Sequence, residues 1–206
     1  MEPDLYCDEI FPTAWRGFKQ PVFPEGSWRF LKDGTLQSLA EGEPVDLMTI
    51  DEYESFELEL EWRVSLGGNT GVLYRVSESA ARAWQSGPEM QLVDDGGHPD
   101  GEVPETSAGA LYGLIAPQLK ILRPAGTFNS ARIVALPDRV EHWLNNGKVV
   151  EYDPESESFS ELVSKSKFKG FPDFGRVRPG HIVLQHHGNT VWFRNIRIRR
   201  LQATLP

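Results

Sequence analysis

Phe56-Glu57-Leu58-Glu59-Leu60-Glu61-Trp62 swaps apolar and acidic residues at every step. A β-strand turns successive side chains to opposite faces, so a period of two gives this segment one buried side and one wet or cleft-facing side. Working outward, residues 71–76 (GVLYRV) and 89–93 (EMQLV) read as short strands, with Gly67-Gly68-Asn69-Thr70 as the turn before the first. Residues 131–136 and 139–144 follow, and Asn145-Asn146-Gly147 is a hairpin signal, because Asn-Gly tolerates the positive φ of a type I′ turn. Residues 148–152 then pair back on 140–144, and 181–187 and 190–200 close the chain as two more strands. Fifteen Pro and nineteen Gly punctuate any helix early. Ser77 caps a short turn through 79–84, and 159–166 forms a second helical segment. Two irregular stretches, 94–130 and 153–179, have the length of functional rims. Many short strands without a βαβ rhythm predict an all-β fold, two antiparallel sheets in a sandwich or jelly roll. The expectation is a single domain over 1–206, with 1–14 as an N-terminal leader segment.

The charge balance is 21 Lys and Arg against 30 Asp and Glu, net −9, which disfavours duplex nucleic acid as a partner. No run approaches the roughly 20 apolar residues of a membrane-spanning helix. Met1-Glu2-Pro3-Asp4 lacks the basic and apolar regions of a signal peptide, so the expected compartment is cytoplasmic by default, a trimmed leader being left open. Cys7 is alone, which removes a disulfide framework and a thiolate metal cluster, and it reads as incidental. Six Trp, five Tyr and eleven Phe suit a packed β core and a sugar-stacking cleft equally. Phosphate loop, nucleotide fingerprint and Gly-x-Ser-x-Gly elbow are all missing from the sequence.

A set of short motifs runs in order along the chain: Glu61-Trp62-Arg63, Asn69-Thr70-Gly71 with Tyr74-Arg75, Gly87-Pro88-Glu89-Met90-Gln91, and His98 with Asp100-Gly101. Ala108 through Tyr112 to Pro117, Arg123-Pro124, Asn129 with Arg132, Glu141-His142-Trp143 and Gln185 with His187-Gly188 continue it, and Phe193-Arg194-Asn195-Ile196 ends it. The ordered set resembles the 3-keto-disaccharide hydrolase family, formerly a domain of unknown function, over about residues 15–201. The resemblance implies a concanavalin-like jelly roll and chemistry on sugars already oxidised to a ketone at C3. Such a ketone acidifies the C2 hydrogen, so a modest base removes it and leaves an enediolate. The C1 glycosidic oxygen, β to that carbanion, is then expelled, and water adds back. The reaction needs a base, an oxyanion stabiliser and an acid for the leaving group.

Glu89 and Gln91 share one strand face, either lining a cleft or forming a solvated sheet surface; as a base, Glu89 needs a pKa raised by burial. Asp94, Asp95, His98 and Asp100 cluster at the next loop, either binding hydroxyls, holding a divalent cation, or supplying Asx-turn chemistry. No cofactor is required outright. Arg75 shares the alternation of Gly71 and Leu73, so it faces a cleft as an oxyanion contact or forms a surface ion pair; Gly71 leaves room for a ligand. His187, on the Gln185 face, is favoured over the inward His186 as an active-site group. His142, between Val140 and Leu144, is either a substrate contact or a core histidine. Tyr112 offers a stacking ring or phenol. Glu57 and Glu59 read as a wet face, Glu61 as within reach of a cleft, and Trp62, Trp143 and Trp192 as core. The expected site is thus Glu89 and His187 as catalytic groups, with Arg75, Gln91, Asp94, His98, Tyr112, His142 and Gln185 contacting a carbohydrate substrate. The rivals are a non-catalytic carbohydrate-binding module, and a conventional glycosidase whose second carboxylate comes from Glu61 or Asp94.

Overall fold

The computed structural model describes residues 8–9 and 12–202; Cys7 and most of the 1–14 segment lie outside them. In chain order the strands are β1 (Asp8–Glu9), β2 (Trp15–Gly17), β3 (Trp28–Phe30), β4 (Leu36–Ser38), β5 (Leu47–Thr49), β6 (Phe56–Val64) and β7 (Asn69–Val76). After these come β8 (Glu89–Val93), β9 (Asn129–Ala135), β10 (Val140–Leu144), β11 (Gly147–Tyr152), helix α1 (Glu157–Lys165), β12 (His181–Leu184) and β13 (Val191–Arg200). Among the described residues the strands build two antiparallel sheets. One runs β11-β10-β9-β6-β13-β4-β3, with β1 also on β13, and the other runs β2-β5-β12-β7-β8. This is the expected all-β sandwich of two antiparallel sheets.

The alternating segment behaves as its pattern dictates. Phe56, Leu58, Leu60 and Trp62 of β6 are buried in the core between the sheets, while Glu57, Glu59 and Glu61 point outward. Each inward residue removes apolar surface from water, and that burial is the main favourable term holding the two sheets together. The hairpin forms, with Leu144 paired to Gly147. Its two central residues are Asn145 (φ 46°) and Asn146 (φ 67°), so the left-handed conformations fall one residue earlier than Asn-Gly implies. α1 begins at the Ser156 cap, whose hydroxyl accepts from the Phe159 amide. β12 stops at Leu184 instead of reaching His187, which leaves 185–187 free to line the site. The turn after Ser77 tightens only at Ala83–Gln85.

Three expectations about the outer surface change. Trp143 and Trp192 are half-buried on the outer face of the larger sheet, where Arg132 lies 4.0 Å from the Trp143 ring centroid and Arg63 4.1 Å from that of Trp192. Two long cations find a flat π-face there more readily than a fully dry core. Glu61 is on the same outer face, held by Arg194 (2.9 Å) and Asn195, and lines a groove there with Trp143 and Asn146, apart from the residues around Glu89.

Candidate active site

β7 and β8 pair with Gly71 opposite Gln91 and Leu73 opposite Glu89. Glu89 and Gln91, two residues apart, therefore project from one face of β8. A Cβ on Gly71 would stand 1.9 Å from Glu89 Oε1, so the carboxyl lies across the gap that glycine leaves. That gap is filled by Glu89 itself, not reserved for a ligand. Four loops close around this pair. The 108–112 segment is tied to β8 by Gly109 N–H to Gln91 O (2.8 Å), Gln91 N–H to Ala110 O (3.1 Å) and Tyr112 N–H to Glu89 O (3.0 Å), which brings the Tyr112 ring in. Asp100 is held by Thr106 Oγ1 donating to its carbonyl (2.7 Å) and by its own amide donating to His98 Nδ1 (3.1 Å).

After α1, Ser166 caps the Lys167–Gly170 turn and Phe168 buries beneath it. Lys167 Nζ then sits 4.3 Å from the Tyr112 ring centroid, 5.1 Å from Phe168 and 5.5 Å from Trp84. On the fourth side, the Gln185 amide donates to Gly71 O (2.9 Å) and the His186 amide to Asp46 Oδ1 (2.9 Å).

The result is a recess of about 460 Å³, within the roughly 300–1,000 Å³ of small-ligand pockets. Of the residues expected from the sequence, Glu89, Gln91, Tyr112, Gln185 and His187 line it. Asp46, Asn69, Arg82, Trp84, Asp100 and Lys167 line it too and were not among the expected contacts. Asp100 had at least a local signal in the acidic cluster. Lys167 had a coarse one, since it falls in the 153–179 stretch whose length predicted a functional rim, while Asp46 and Arg82 had none.

Burial sets the electrostatics. Glu89 is 7% exposed, and desolvation pushes its carboxyl up to about 8, helped by Asp46 and Asp100 and opposed by Lys167. Asp46 is pushed up to about 6 by burial, against the His186 amide and Arg82, which favour the anion. Tyr112 rises to about 12 through burial and the neighbouring Asp100 and Glu89. The Lys167 amine is lowered by desolvation, with Glu89 and Asp100 pulling the other way. The recess therefore holds a carboxyl group that keeps its proton near neutrality beside an amine that gives its proton up more readily than usual.

Four expected contacts are placed elsewhere. Arg75 adopts φ 56°, and the β7–β12 register shifts beside it. A left-handed residue breaks strand alternation, so its fully buried guanidinium leaves the Gly71 face and donates to Leu136 O (2.6 Å) and Gly175 O (3.4 Å). His142 is fully buried; its Nδ1 lies 3.3 Å from Gly109 O and its Nε2 2.9 Å from the Tyr74 hydroxyl. Burial lowers it to about 4, so it is a neutral core imidazole that braces the 108–112 segment. Asp94 accepts from the amides of Gly67 (2.9 Å) and Gly96 (3.3 Å) as turn chemistry.

His98 stands just outside the lining, its ring 6.0 Å from that of His187. Asp95 is likewise committed, to the Ala108 amide and Lys120. Among the described residues no group of three or more His, Cys, Asp and Glu is placed to hold a metal ion. No helix among them is long and apolar enough to cross a membrane.

The two-sheet jelly roll thus brings carboxyl, amide, aromatic and amine groups together on one recess. Residues 9–199 match the model of the 3-keto-alpha-glucoside-1,2-lyase-like domain, and the chain belongs to that family. It is 30% identical to the 3-keto-disaccharide hydrolase of Bacteroides thetaiotaomicron, over 92% of this chain and 75% of that protein. A crystal structure from Parabacteroides distasonis, classed provisionally as a glycosyl hydrolase, superposes with a TM-score of 0.85 at 30% identity. That match covers 92% of this chain and 89% of the other. A Bacillus subtilis protein with a galectin-like fold shares the architecture alone, at 10% identity and a TM-score of 0.54 over 95% of both chains. The chain is a hydrolase of the glycosidase class.

Proposed function

We propose that this protein hydrolyses 3-keto-glycosides by removing the C2 proton, expelling the C1 oxygen and adding water to the resulting enone. One observation carries the reading: the Glu89 carboxyl, desolvated over Gly71 inside a ligand-sized recess. A carboxylate whose conjugate acid has a pKa of about 8 is a stronger base than an ordinary one, which helps it take the C2 proton that the adjacent ketone has acidified. Lys167 supplies positive charge for the enediolate oxygen, the role first expected of Arg75. His187, exposed at the mouth, protonates the departing alcohol. A lyase and a hydrolase differ here only in whether water is added before release.

Asp46 gives the conventional-glycosidase reading the second carboxyl that neither Glu61 nor Asp94 provides. The deciding experiment incubates the purified protein and its Glu89→Gln variant with a 3-keto-disaccharide and with the unoxidised parent. Cleavage of the keto sugar alone, lost in the variant, is expected. Cleavage of the parent overturns the proposal for the glycosidase reading, and binding without products overturns it for a binding module.

A further inference from the structure

Asn69 and Gln91 are 2% and 1% exposed, yet Asn69 Oδ1 and Gln91 Oε1 have no hydrogen-bond partner among the described residues. Their amide nitrogens are engaged: Asn69 Nδ2 and Gln91 Nε2 both donate to Asp100 Oδ2, at 3.1 and 3.4 Å. Asp100 Oδ2 accepts from both, so it fixes which end of each amide is nitrogen. The 3.1 Å contact to Asp100 outranks the 3.5 Å approach of Asn69 Nδ2 to His98 Nε2. Two acceptors are thereby turned away from their common anchor and left without donors in a buried position, a cost native structures rarely carry without a use.

Placement gives the use. Asn69 and Gly71 lie two apart on β7, and Gln91 stands opposite Gly71. Asn69 and Gln91 thus flank the gap in which the Glu89 carboxyl lies, and both residues line the recess. A keto sugar offers no hydrogen at its carbonyl, so the donors nearest the reacting carbon are the hydroxyls flanking it.

We propose that Asn69 and Gln91, clamped by Asp100, form a two-acceptor subsite that selects sugars carrying free hydroxyls on both sides of the reacting ketone. This deepens, and rests on, the keto-glycoside reading of the same recess. Neutral amide oxygens satisfied by hydroxyl donors discriminate in two directions. They reject deoxy or O-alkylated sugars, which leave an oxygen buried and unpaired, and they reject ionised carboxylate or phosphate substituents at those positions, which bring only acceptors.

The test compares kcat/KM for a 3-keto-glucoside with that for its 2-deoxy and 4-deoxy analogues. Wild type is expected to disfavour each analogue by about 10²-fold or more. Gln91→Met and Asn69→Leu keep side-chain length and remove the acceptor. Each is expected to lose activity on the full substrate and to bring discrimination at one hydroxyl close to unity, while a merely structural role would lower all three substrates together. Either variant suffices if the other fails to fold, which a melting curve reports. Calorimetric binding of the parent and deoxy glycosides to Glu89→Gln reads hydroxyl selection without turnover, so failure of the chemistry and failure of the subsite are separable. Equal use or equal binding of the deoxy sugars by proteins with intact Asn69 and Gln91, or unchanged discrimination in the folded variants, overturns the proposal.

Discussion

The outer faces of the two sheets carry the same kind of sequence and do opposite things with it. On the larger sheet, Glu57, Glu59 and Glu61 project from β6 at two-residue spacing. Glu57 is met by Arg132 and Arg199, and Glu61 by Arg194 and Asn195. On the smaller sheet, Glu89 and Gln91 project from β8 at the same spacing, but loops cover them and, among the described residues, no donor engages the Glu89 carboxyl. The paired, wet glutamate is held low: Arg194 hydrogen-bonding to Glu61 keeps that carboxyl below the usual range. The covered one rises to about 8. Strand alternation alone does not make a base; withdrawal of water and of hydrogen-bond donors does, even with the Lys167 amine nearby.

The contrast breaks most visibly at Glu89. Glu89→Gln is expected to lower kcat/KM on a 3-keto-glycoside roughly 10²–10⁴-fold, whereas Glu61→Gln leaves turnover unchanged. Next comes Gly71→Ala. Its methyl group would overlap the Glu89 carboxyl and force it from its seat, and a misplacement of that size is expected to cost about 10²-fold while Glu89 remains present. Steady-state kinetics on folded protein checks both.

The pH profile sharpens the comparison further. Turnover requires ionised Glu89, so kcat/KM is expected to rise as pH climbs toward about 8 and to fall at alkaline pH as Lys167 loses its charge. Stability moves the other way. The folded state holds the Glu89 proton to higher pH than the unfolded chain does, so wild type loses stability relative to Glu89→Gln as pH rises from about 4.3 to about 8, and the difference is flat above that. Denaturant titrations of both proteins across that window check the sign, and a constant difference refutes it. Smallest is the effect of cutting the Glu61–Arg194 pair, an exposed contact worth about 1 kcal/mol or less, read as a small shift in denaturant midpoint that shrinks further in salt.

Much of the site was legible on β8 because a strand's period is a local property: once Glu89 and Gln91 are on one face, any sheet that buries Met90 and Leu92 leaves both on the other. Arg75 shows the limit of that logic. One left-handed residue cancels the alternation, and nothing in GVLYRV announces it. His142 also obeys its alternation with Val140 and Leu144, and that is why it lies in the core and not in the recess. Asp46 and Lys167 could not be named as site residues for a different reason: they sit 43 residues before and 78 residues after Glu89, in segments without periodicity, so the length of 153–179 marked a rim but only chain crossings decide which side chains reach Glu89.

What the order of residues determined by itself was the all-β class, the inward face of β6, the hairpin at 145–147 and the family-like motif set, all consequences of side-chain periodicity, turn chemistry and short-range spacing. Tertiary structure alone decided which carboxylate is dry, which cation stands beside it and which amides are left with unpaired oxygens. Those depend on the dielectric and the partners at a point in space, and a chain written in one dimension does not carry either.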